Sequence, residues 1–166
     1  NLSDNISDMD AYYLSALNLG DVEGKSVHIS TQGYGISTGN IKSEEIDLTS
    51  QGDIGTSLQP VHVTGKVNVN NDGFKTYITS DDTDLDINFT QDSAQGGKLS
   101  SNGKNIHISS ESDIGVDASP FVVDAKGGTL SADTKGQIHV ITPSALVLGP
   151  IVATVTQINA SDTGSL

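Results

Sequence analysis

The sequence has no cysteine, no tryptophan, no arginine and one methionine among 166 residues, and aromatic side chains make up only 4% of it. Without cysteine there is no disulfide framework, no thiolate nucleophile and no cysteine-based zinc or iron–sulfur centre. Without arginine there is no planar guanidinium clamp for phosphate or anionic sugars. The basic residues are 8 lysines against 21 acidic residues, a formal net charge of -13. So negative a surface repels phosphate backbones, whose partners draw affinity from Lys and Arg, and nucleic acid is excluded as a partner. Long apolar runs are missing as well. The most apolar window, Ser144 to Val155, is broken by Gly149 and Pro150 and is too short to cross a bilayer, so membrane insertion is not expected.

What is present points to strands and turns. Ser, Thr, Asn, Asp and Gly fill about half of the chain, and Ile and Val outnumber Leu. Only Asp10 to Leu19 has a helical pattern, with Asp10 as N-cap.

A fixed period then sets the architecture. Ile46 to Val63 superposes without a gap on Ile106 to Val123 at an offset of 60, matching Ser50 with Ser110, Asp53-Ile54-Gly55 with Asp113-Ile114-Gly115 and Pro60 with Pro120. Gly24 to Ser30 matches Gly103 to Ser109 at an offset of 79. Three and four units of about 20 residues account for both offsets. Apolar pairs two residues apart recur at Val27/Ile29, Ile46/Leu48, Val67/Val69, Ile87/Phe89 and Ile106/Ile108, in steps of 19, 21, 20 and 19, and again at Leu146/Leu148. Polar residues alternate with them, as in a strand with one buried face.

A coil of this size buries too little apolar surface to offset its own ordering entropy, so the units must stack. The expected fold is all-β: one parallel β-helix solenoid over residues 1–166, with roughly eight coils spaced at roughly 4.8 Å. The main partners of each coil are its neighbours in the same chain. Neither Asn1 to Ser7 nor Ser161 to Leu166 reads as a cap, so the chain is expected to be part of a longer protein whose coils continue on both sides.

The alternation predicts outward rows: Ser26/His28/Ser30, Glu45/Asp47/Thr49, Lys66/Asn68/Asn70, Asp86/Asn88/Thr90 and Asn105/His107/Ser109. It places Lys66 between Glu45 and Asp86, and His28 beside Asp47. His28, His62, His107 and His139 each sit in the middle of an aliphatic-His-aliphatic triplet, which reads as a solvent-facing strand position rather than a metal site. The acidic stretch Asp81, Asp82, Asp84 and Asp86 is a calcium candidate, because a hard cation needs closely spaced carboxylates. It lacks the glycine pattern of calcium-loaded β-rolls and EF-hands, and its other reading is a solvated loop. Asp53 and Asp113 are expected to cap their own turns. No nucleophile elbow, phosphate loop or zincin helix occurs, and no cofactor is expected. The ionisable groups lie dispersed along strands, so an enzyme is not expected, although the polar rows are suited to a neutral glycan.

The run Ile46 to Thr56 with Pro60-Val61-His62-Val63, and its echo Asp113-Ile114-Gly115 with Pro120 to Val123, resembles the repeats of filamentous-haemagglutinin-like and leukotoxin-like bacterial surface adhesins, including biofilm-matrix adhesins. The resemblance spans Val22 to Leu148. The Asn-Pro-Asn motifs of the family's secretion domain are missing, which places the match in the repetitive shaft. It implies a right-handed β-helical rod at the bacterial cell surface, outside the cell, that holds an adhesive tip away from the envelope and has no catalytic residues. From the residues alone, a β-helical polysaccharide lyase or hydrolase, or a β-helix that binds glycan or exopolysaccharide, remains the alternative.

Overall fold

A computed structural model describes residues 16–71, 74–90, 93–94 and 96–160, and every regular element among them is a β-strand. The alternation in the sequence is an alternation of burial: in Ser26–Ser30 the residues Val27 and Ile29 point inward, while Ser26, His28 and Ser30 face water. Each strand pairs in parallel with its equivalent one coil further on. About seven turns of about 20 residues form a β-solenoid.

Three strand positions make up a coil. The first face is built by Ser26–Ser30, the second halves of Asn40–Thr49 and Val61–Asn70, then Leu85–Phe89, Ile106–Ser110, Thr129–Thr134 and Val147–Val152. The second runs from Val22–Glu23 through the first halves of the two long strands to Thr76–Ser80, Gly97–Ser101, Phe121–Asp124, Gln137–Thr142 and Val155–Ala160. The third is shorter, with Leu17, Ile36 and Ile54 in register at one end and Ala94, Ile114 and Ile138 at the other. The inward side chains of the three faces, Leu17, Ile36, Ile54, Ile114 and Ile138 of the third among them, merge into one core along the stack. Phe89 is the bulkiest member of the first row and stands in register with the small Ser110, while its ring lies 5.3 Å from that of Phe121.

The two long strands bend from the second face into the first at a bulge, where Ser43 and Glu44 together oppose Gly65. Gly65 has φ 133° there, and a Cβ would overlap the Ser43 carbonyl oxygen. Elsewhere the corners are held by small polar residues turned inward. Ser50 Oγ donates to the Tyr34 carbonyl at 2.7 Å and accepts from the Gly52 amide at 3.0 Å, so the buried hydroxyl replaces the backbone bonds lost at the turn. Ser101 and Thr142 do the same for the Lys104 and Ser144 carbonyls.

Two expectations change. Ala16–Leu19, the end of the predicted helix, is a strand paired with Gly35–Thr38, because Leu17 gains a place in the buried row; residues 10–15 lie outside the described residues. The ladder register also departs from the repeat alignment. Val67, Ile87 and Ile108 share one row, so Ile106 aligns with Leu85 and not with Ile87. A slip of two residues leaves every side chain on its own face, and periodicity cannot detect it.

Candidate functional site

Strand alternation on the first face turns a continuous polar surface to the solvent. Its middle row is His28, Asp47, Asn68, Asn88, Ser109 and Asp133, one residue per coil. Hydrogen bonds join five of them. His28 Nδ1 lies 2.6 Å from Asp47 Oδ2, and Asn68 Nδ2 donates to Asp47 Oδ1 at 2.7 Å. Asn88 Nδ2 donates to Asn68 Oδ1 at 3.5 Å, and Ser109 Oγ donates to Asn88 Oδ1 at 3.1 Å.

A flanking row carries Ser26, Glu45, Lys66, Asp86, His107 and Ser131, with Lys66 between Glu45 and Asp86 as the alternation requires. Because of the two-residue slip, His107 stands beside Asp86, and its ring nitrogen lies 2.8 Å from Ser131 Oγ. Ser26 Oγ is 2.8 Å from His28 Nε2, so the two rows touch at the first coil. Further along the stack, Glu111 forms an ion pair with Lys135 and holds its ammonium above the usual lysine range. Both side chains are exposed, and such a pair contributes little stability.

Of the acidic stretch only Asp86 lies on this face; Asp81, Asp82 and Asp84 lie at the corner before Leu85–Phe89. Asp81 Oδ2 lies 3.0 Å from His62 Nδ1, Asp84 accepts from the Asn105 amide at 3.0 Å, Asp86 sits between Lys66 and His107, and Asp82 is exposed in the bend. The structure thus divides the four calcium candidates among different neighbours. Among the described residues no three His, Asp or Glu side chains form a group able to hold a metal. On the second face Asp124 is the most enclosed ion-pair carboxylate, 3.4 Å from Lys98 Nζ and bonded by Ser144 Oγ at 2.5 Å.

Asp53 and Asp113 do something different from capping their own turns. Asp53 Oδ1 accepts from the Lys75 amide at 2.9 Å and Asp113 Oδ1 from the Gln137 amide at 2.8 Å, each in the following coil. Asp21 does the same for Asn40, and Asn105 for Thr129. In each case the amide belongs to the residue just before an inward side chain, Thr76, Ile138, Ile41 or Leu130, so the carboxylate or amide oxygen staples one coil to the next where a row begins. Asp113→Ala is expected to lower stability by about 1 kcal/mol, read as a lower urea midpoint at unchanged m value. An unchanged midpoint would show that water replaces the staple without loss.

Chemically, the face offers alternating donors and acceptors over a shallow depression lined by His28, Glu45, Asp47, Asn68, Asn70 and Thr90. The contact between Ser26 and His28 was not read from the sequence. Its signal was there: Ser and His two residues apart on one strand face, with Asp one coil later in the row of the His.

The chain matches no family model, no curated protein and no solved structure.

Proposed function

We propose that the chain is a segment of the shaft of an extracellular bacterial adhesin or fibre, giving reach and scaffold for adhesion or a biofilm matrix. The observation that carries this reading is the redundant joining of coils along one axis. Backbone ladders on three faces, a side-chain row on the first and corner staples all tie each coil to the next. A stack built this way keeps its shape under load and presents a solvated, negatively charged exterior that resists side-by-side association.

The experiment is immunogold labelling of intact source cells with antibodies against the folded segment. Label along fibres projecting from the envelope, removed by external protease, is the expected result. Label confined to the cytoplasm would sink the proposal.

The shallow depression on the polar face favours a second reading, a β-helix that binds neutral glycan. Among the described residues the outward rows of the first face, where the depression lies, carry no aromatic side chain on which a sugar ring would stack, which makes it the weaker of the two. Glycan-array binding lost on Asn68→Ala would promote it.

A further inference from the structure

We propose that Ser26 is an activated nucleophile, with His28 as its general base and Asp47 as the positioning residue, able to take an acyl group from a carboxylic ester. The three side chains form one chain of contacts: Ser26 Oγ is 2.8 Å from His28 Nε2, and His28 Nδ1 is 2.6 Å from Asp47 Oδ2. A carboxylate only accepts hydrogen bonds, so Nδ1 must carry the ring proton. That leaves the lone pair of Nε2 facing the serine hydroxyl, the tautomer a general base needs.

The backbone fixes this arrangement. Ser26 and His28 project from the same side of one strand, and Asp47 is the register partner of His28 in the next coil. Asp47 is held in turn by Asn68 Nδ2 at 2.7 Å. Of the four histidines, only His28 has both arms among the described residues. His62 has Asp81, His107 has Ser131 and His139 has Gln137. The His28 side chain is 67% exposed and adjoins the polar depression, so even an ester on a polymer reaches it.

In the step, Ser26 Oγ bonds to the ester carbonyl carbon while its proton passes to His28 Nε2. The carbon–oxygen bond to the alcohol then breaks, and His28 returns the proton to the departing alkoxide. Water attacks the acyl-serine by the same route, releasing the acid and restoring the hydroxyl.

The test treats the whole 166-residue chain with a fluorophosphonate probe and maps adducts by mass spectrometry, fluoride being the leaving group. Labelling of Ser26 at least about tenfold faster than of Ser30 or Ser109 is expected, given the usual size of general-base assistance. It should fall about tenfold or more in His28→Gln and in Asp47→Ala, and recover in part in Asp47→Glu, with circular dichroism unchanged. Nitrogen-15 NMR should find the His28 proton on Nδ1, and on Nε2 in Asp47→Ala. Equal labelling of the three serines, or labelling indifferent to His28→Gln, would overturn the proposal.

Discussion

Replacing Ile87 with aspartate is expected to destabilise the stack by about 4 kcal/mol or more, the scale of an unpaired carboxylate in an apolar interior. Ile87 is fully buried and lies in register between Val67 and Ile108, with no polar partner in the row. Because coils touch only their neighbours, the damage should divide the solenoid. Urea unfolding followed by circular dichroism should change from one transition to two, as the coils before and after Ile87 lose their coupling. Ile87→Val at the same position removes only a methyl group and should cost about 1 kcal/mol with one transition kept. A single transition of unchanged midpoint in the aspartate variant would mean that Ile87 does not carry the row.

Gly65→Ala should be nearly as harmful, although it adds a single methyl group at a partly exposed site. At φ 133° an L side chain is strained, and the new Cβ would run into the Ser43 carbonyl oxygen of the preceding coil. Strain and displacement together are expected to cost about 3 kcal/mol, and the bulge that turns both long strands should open. Gly20→Ala is the control, since nothing lies within 4 Å of its Cβ position and its backbone angle is ordinary. That variant should stay within about 0.5 kcal/mol of the parent. Equal thermal midpoints for the two alanine variants would show that the corner does not depend on Gly65.

The parts of this fold that could be read from the sequence are those that alternation encodes. Val27/Ile29, Ile46/Leu48 and Val67/Val69 announce buried rows because each is an aliphatic pair between polar residues, and their spacing announces stacking. The neighbours His28/Asp47 and Glu45/Lys66/Asp86 followed directly. Three other features were hidden for physical reasons. The inward Ser50, Ser101 and Thr142 look like any surface hydroxyl, since hydropathy does not register a polar atom satisfied by turn carbonyls. Asp53 and Asp113 have the composition of turn caps, and only the fold reveals that their acceptors reach the next coil. His107 found a different neighbour because register is set by loop lengths at the corners, whose contribution a gapless alignment averages away. The relay at Ser26 required strand alternation and coil register at once, and neither alone brings three side chains together.

Coil length has a consequence for how such a protein changes over generations. Val27, Ile46, Val67, Ile87, Ile108, Ala132 and Ile151 occupy one row, so successive coils run 19, 21, 20, 21, 24 and 19 residues. Three faces keep their spacing while the corners absorb the surplus. Insertions and deletions at those corners are therefore nearly neutral to shape, and closure entropy grows only slowly with loop length. A lineage of such chains can lose recognisable sequence kinship while the cross-section stays the same. Its memory lies in the side of the strand each residue faces, and hardly at all in the order of letters around the bends.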